Sequence, residues 1–161
     1  MLIQLRPLRE DDAYTSILWR ADPDLWVHTL AAGRPAPRIE DELQWIRSVM
    51  ADQSSIRMAI TLEDRYVGNT YLTGLTPETA DFHIFIGDRE CWGRGIARRA
   101  TELMLAKAWS LGLEAVHLMV HPNNKAARHI YDSLGFETTG QEGRFICMSL
   151  QRPVSGQGEP L

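Results

Sequence analysis

The spacing of apolar residues along this 161-residue chain changes period several times, and each change marks an element. Leu2–Leu5 reads as a short strand that Pro7 ends. Glu10-Asp11-Asp12 opens a helix to about Arg20, its acids complementing the helix dipole. Asp22-Pro23-Asp24 breaks that helix, and Trp26, His28 and Leu30 follow in an irregular stretch. The two prolines of Gly33-Arg34-Pro35-Ala36-Pro37-Arg38 make a loop. A second helix, Ile39 to about Met50, carries a stripe of Leu43, Trp45, Ile46 and Val49. Ile56–Leu62 and Tyr66–Leu72 are strands of a hairpin closed by Glu63-Asp64-Arg65, and Thr76-Pro77-Glu78 turns the chain toward a further strand, Phe82–Ile86.

From there the period becomes helical. Ile96, Ala100, Leu103, Met104, Ala108 and Leu111 form one apolar face, and Gly112 suits a left-handed cap. Val116–Val120 is nearly continuous in apolar residues, as a strand inside a sheet would be. Asn123 or Asn124 caps the next helix, which presents Ala127, Ile130, Tyr131 and Leu134 on one side. Strands at Phe136–Thr139 and Phe145–Leu150 follow, and the Gly- and Pro-containing tail from Arg152 is expected to be disordered. Strands first, then β-α-β-α-β, predicts one α/β domain over residues 1–151, three-layered around a mixed sheet.

Composition narrows the function. A formal charge of −4 argues against sequence-independent nucleic-acid binding. Two cysteines, Cys91 and Cys147, make no disulfide framework and no metal-ligand spacing, which suits a reducing compartment. His117 and His121 share a strand face without further ligands nearby, so no metal is expected. The N-terminus does not read as a signal peptide and no run reaches the ~18 apolar residues of a membrane span, so a cytoplasmic protein without membrane partners is the default expectation.

The chemistry is concentrated where strand Phe82–Ile86 meets the helix from Ile96. Between them lies Trp92-Gly93-Arg94-Gly95. Glycines allow a sharp turn and close approach of a ligand, and the free amides of a helix N-terminus favour an anion, so this corner reads as a phosphate seat. The Gly-Lys-Ser/Thr ending of a P-loop is absent. A dinucleotide fingerprint fails because Arg98 stands at the third glycine position and the next strand ends near His121, not at an acid.

Trp92-Gly93-Arg94-Gly95-Ile96-Ala97 resembles the Q/R-x-x-G-x-G/A loop of the GNAT superfamily of N-acetyltransferases, with Trp92 at a position usually Gln or Arg. Asn124 through Phe136 is similar to the family's N-x-x-A-x-x-x-Y-x-x-x-G-F segment, one helix and one strand later. The resemblance runs from about Ile60 to Phe136; within it the Trp-Gly-Arg-Gly form is similar to the branch acting on ribosomal-protein N-termini, polyamines and amino sugars.

The resemblance implies acetyl transfer from acetyl-CoA to a primary amine, in a single-domain fold whose two central strands splay to admit the pantetheine arm. Gly93, Arg94, Gly95, Ile96 and Ala97 would seat the pyrophosphate, beside Trp92, and Arg98, Arg99 or Arg128 could pair with phosphate. Asn124 and Ala127 would lie along the pantetheine, while amides of Ile84, Phe85 and Ile86 would face the thioester, those of Ile84 or Phe85 holding the oxyanion. Tyr131 would protonate the departing sulfur, provided that its phenol faces the cofactor and not the hydrophobic interior. Asp81 and His83, on one strand face, are candidate bases. The acceptor, a small amine, amino sugar or peptide N-terminus, would lie over the N-terminal helices near Trp19, Trp26, His28, Arg34 and Arg38. The chain would act as a monomer or homodimer; the rival expectation is a non-catalytic acyl-CoA-binding module.

Overall fold

The alternation Ile3, Leu5 against Gln4, Arg6 makes β1 (Ile3–Pro7), which lies antiparallel to β2 (Ile56–Leu62) with Ile3 opposite Leu62. The computed structural model describes residues 1–29 and 33–154. Leu30 and residues 155–161 of the expected tail lie outside the described residues. Arg152 is tied back by its amide to the Glu114 carbonyl at 2.8 Å.

Glu63 and Asp64, at φ 49° and 67°, form a two-residue turn into β3 (Arg65–Thr73). Two consecutive positive φ values match the twist of a tight hairpin. Arg65, expected in the turn, is instead the first strand residue, opposite Leu62. β4 (Thr79–Ile86) pairs antiparallel with β3, and α3 (Ile96–Ser110) crosses over to the parallel β5 (Ala115–Val120). After α4 (Lys125–Ser133), β6 (Glu137–Glu142) and β7 (Phe145–Gln151) complete a seven-stranded mixed sheet of order β1-β2-β3-β4-β5-β7-β6.

Helices cover both faces, giving the expected three layers. On one face α1 (Ala13–Arg20) and α2 (Ile39–Ala51) enclose Leu8, Ala13, Ile46, Val49 and Ala59. On the other, α3 and α4 close over Leu72, Phe82, Met104, Val116, Leu118 and Tyr131. The stripe of α3 runs Ile96, Ala100, Met104, Ala108 as expected, joined by Thr101 and Leu105, while Leu103 is only half-buried and Leu111 is 49% exposed because the helix stops at Ser110. Gly112 adopts φ 84° just past that end.

The acidic cluster near the start of α1 is structural. Glu10–Asp12 is a 3-10 turn that precedes the helix. Asp12 is buried, pairs bidentately with Arg6 at 2.7 and 2.9 Å, and accepts the Arg9 amide at 2.8 Å.

β4 and β5 determine where a site can form. They pair at three positions only, Thr79–Ala115, Ala80–Val116 and Asp81–His117. Beyond Asp81, β4 runs on to Ile86 and β5 beyond His117 to Val120 with no pairing between them. The two central strands therefore part, and beyond Asp81 the edge of β4 has no strand partner on the side of the opening.

Candidate active site

The glycine corner stands at the mouth of that opening. Gly93 and Gly95 sit at φ 72° and 80°, and a Cβ at either would meet no atom within 4 Å. The conformation demands glycine, and the space above the loop is open. Gly95 is the N-cap of α3 with no side-chain cap, so the first amides of a 15-residue helix are left for a ligand. The Ile96 side chain is buried at 1% exposure and anchors the helix, while its backbone forms the corner. Trp92 supports the turn: its Nε1 donates to the Ile86 carbonyl at 3.0 Å, and Arg89 lies over its ring. Ile86 therefore uses its carbonyl structurally.

Of the arginines around the corner, Arg98 bonds Ser133 of α4, and Arg128 turns back to the Pro122 carbonyl at 3.4 Å. Arg94 touches only the Met1 sulfur, at 3.9 Å, and pairs with no carboxylate among the described residues.

Tyr131 lies where the strands part. Its ring meets Phe82, the first β4 residue past the last pair, edge-on at 6.2 Å, and Phe136 at 5.6 Å. The residue is 7% exposed, so the ring belongs to the hydrophobic core. The hydroxyl has no protein hydrogen-bond partner among the described residues, yet is not among the fully enclosed unpaired polar atoms. The ring is thus enclosed in the core, where the expectation had it facing the cofactor and not the interior. Burial pushes the phenol's pKa well above its ordinary value, so it keeps its proton at neutral pH.

Asn124 is the N-cap of α4, its Oδ1 accepting the Ala127 amide at 3.2 Å. The cap role considered for Asn123 falls to Asn124; its side-chain NH2 remains available as a donor. Ala127 spends its amide on that cap.

On the opposite face the protein holds a cavity of about 530 Å³. Ile84 and Phe85 of the unpaired β4 edge line one end. Trp26 stacks on Phe85 at 4.1 Å, fixed by its Nε1 bond to the Trp19 carbonyl at 3.0 Å. His83 lines the same cavity and its Nε2 meets the Thr73 hydroxyl at 2.9 Å. Although His83 keeps an exposed side, neighbouring protein displaces water from its imidazole and pushes its pKa below the usual histidine value; Asp81 pulls it up, and Arg57 pushes it further down. Asp81 itself is exposed at the last β4–β5 pair and does not line the cavity.

The other expected acceptor residues are dispersed. Arg34 lines a smaller cavity of about 210 Å³ that shares Trp26. Arg38 is exposed and pairs with Asp41 at 3.6 Å, and Trp19 is buried beside Tyr66 and Phe85. His28 packs against His121 at 4.7 Å, outside the lining of the larger cavity, its Nδ1 enclosed without a partner among the described residues.

Sequence reasoning missed Arg57, Asn69, Tyr71 and Thr73, which line the larger cavity. The signal that could have found them is strand register: Arg57 lies opposite Tyr71, and Tyr71 opposite His83. Among the described residues no group of three or more His, Cys, Asp or Glu is gathered as for a metal, and no helix is long and apolar enough to cross a membrane.

A parallel pair that parts beside a glycine-capped helix defines a class. Residues 3–137 match the acetyltransferase (GNAT) domain model, and the chain belongs to that family. The spermidine N-acetyltransferase of Vibrio cholerae, solved in complex with CoA and spermine, superposes with a TM-score of 0.81 at 20% identity, over 92% of this chain and 95% of its own. The spermidine N(1)-acetyltransferase of Escherichia coli strain K12 is 32% identical over 93 residues, 56% of this chain and 50% of that protein. An uncharacterized protein of Methanocaldococcus jannaschii is 25% identical over 150 residues, 89% of this chain and 30% of that protein. The matched region thus spans between about a third and a half of these two curated relatives.

Proposed function

We propose that this protein transfers the acetyl group of acetyl-CoA to a primary amine by direct attack. The observation that carries the reading is the parting of β4 from β5 after Asp81 and His117, with the open Gly93–Gly95 corner at its mouth and Tyr131 at its apex. A relative in the same fold solved with CoA and spermine supports the donor and an amine acceptor.

The corner amides of Ile96 and Ala97 would hold the pyrophosphate, and the Asn124 amide the pantetheine arm. An alkyl ammonium, of pKa about 10.4, must lose a proton before it can attack. His83 takes it, directly or through water, from within the cavity. The Ile84 amide, on the unpaired edge of β4, would face the acetyl carbonyl and stabilise developing negative charge, while Phe85 turns its backbone to β3. Tyr131 gives a proton to the sulfur as the C–S bond breaks, and bulk solvent restores it.

Thiol release from acetyl-CoA over a panel of small amines, amino sugars and N-terminal peptides tests the proposal. Turnover with at least one amine is expected; acetyl-CoA binding with no turnover on any would mark a non-catalytic acyl-CoA-binding module.

The pH profile tests the base. A base works unprotonated, and the His83 pKa is depressed, so the acid limb of kcat/KM should fall below about 6.5. His83→Gln should lower kcat by about a hundredfold and abolish the limb. Asp81→Asn removes the charge that raises the His83 pKa, so the limb should move to still lower pH. A limb unchanged in both variants would exclude His83 as the base.

A further inference from the structure

Three side chains form a row across the floor of the larger cavity. Arg57 on β2 pairs in register with Tyr71 on β3, which pairs with His83 on β4. The Arg57 guanidinium lies over the Tyr71 ring at 4.4 Å from its centroid, which fixes its direction along the cavity. Its Nε donates to the Ser55 hydroxyl at 3.2 Å, and it makes no ion pair with a carboxylate among the described residues. Asp52 senses its charge from the surface, where that carboxylate is engaged by Ser54. Among the described residues no acid lines the cavity. The buried Glu42, whose charge reaches Tyr71, is committed to Arg20 at 3.1 Å and to the Ser16 hydroxyl at 3.2 Å. A second arginine, Arg34, lines the adjoining cavity beyond Trp26, also without a carboxylate partner among the described residues.

A guanidinium held against a ring, at the end of a cavity whose described lining carries no acid, is a receptor for an anion. A polycation would meet Arg57 there with no carboxylate among the described lining residues to offset the repulsion; Asp81, outside the lining, acts only at the His83 end. Two strand spacings, roughly 10 Å of backbone, separate Arg57 from His83. We propose that the acceptor is a bipolar molecule: its amine lies at His83 and the β4 edge, and a carboxylate or phosphate several ångströms away pairs with Arg57. The inference rests on the acetyltransfer reading for the amine end, while the anion end stands on Arg57 itself.

Matched acceptors separate the possibilities. The parent enzyme, at saturating acetyl-CoA, is assayed with 6-aminohexanoate and its carboxamide, with glucosamine 6-phosphate and glucosamine, and with spermidine. The anionic member of at least one pair should be preferred in kcat/KM by about tenfold or more, and which pair shows it identifies carboxylate or phosphate. Arg57→Gln should bring that preference close to one while leaving the KM for acetyl-CoA within about twofold, since the glycine corner is untouched. Arg57→Lys, which keeps charge but loses the planar fork, should fall between. Equal use of both members, a preference for spermidine, or a preference that survives Arg57→Gln in a variant with parental melting temperature would overturn the proposal. Should no amine turn over, the acetyltransfer reading fails separately. The anion site is then read by quenching of tryptophan fluorescence, Trp26 lining the cavity, in titrations with the same paired compounds. Arg57-dependent preference for the anionic member supports the site, and its absence removes it.

Discussion

Tyr131→Phe should lower kcat by about two to four orders of magnitude while leaving the fold and the affinity for acetyl-CoA nearly intact. The separation of effects follows from how the residue sits. Its ring fills a space between Phe82 and Phe136 that phenylalanine would fill equally. Its hydroxyl bonds to no described protein group, so deleting it orphans no donor or acceptor. The stability change should stay within about 0.5 kcal/mol, against the 3–5 kcal/mol typical when a buried aromatic is cut to alanine. Stopped-flow acetyl transfer, melting temperature and equilibrium acetyl-CoA binding read the three quantities. An unchanged rate would take Tyr131 out of the mechanism and leave solvent as proton donor. A large fall in melting temperature would mean that the hydroxyl is structural.

Gly95→Val should raise the KM for acetyl-CoA about tenfold or more, with a smaller effect on kcat at saturation. Two causes act together. The left-handed conformation at φ 80° is strained for any residue with a Cβ, by about 1–2 kcal/mol, and most for a β-branched one. The added side chain also enters the open space over the α3 N-terminus where the pyrophosphate would sit. Gly112→Val separates the two. Gly112 adopts φ 84° at the other end of α3, with open space around its Cβ as well, but far from the corner. It should lose similar stability and keep the parental KM. Equal rises in KM for both variants would show that strain in α3, not occupation of the seat, is responsible.

Local signals account for what could be read from the residues alone. Glu63-Asp64 between two alternating runs marks the β2–β3 hairpin, because a tight turn depends on adjacent residues. The stripe Ile96, Ala100, Met104, Ala108 marks α3, and Gly93-Arg94-Gly95 marks its start, because helix period and positive φ are properties of short segments. Boundaries failed where pairing rather than propensity sets them. β4 begins at Thr79, earlier than its apolar run, because Thr79–Asp81 are the residues that pair with β5. β6 extends through fully exposed residues to Glu142 because β7 holds it along that length.

The sequence by itself determined the order of elements, the glycine corner and the placing of an asparagine and a phenol one helix–strand unit beyond it, since each depends on spacing along the chain. Only the tertiary structure decided that Asn124 is spent partly on its own helix cap, that Tyr131 keeps its ring in the core, and that His83 rather than Asp81 lines the cavity. It alone decided that Arg57 stands across Tyr71 from His83. Neighbours across a sheet are chosen by strand register and by what the covering helices leave open, and those are relations between segments distant in the chain.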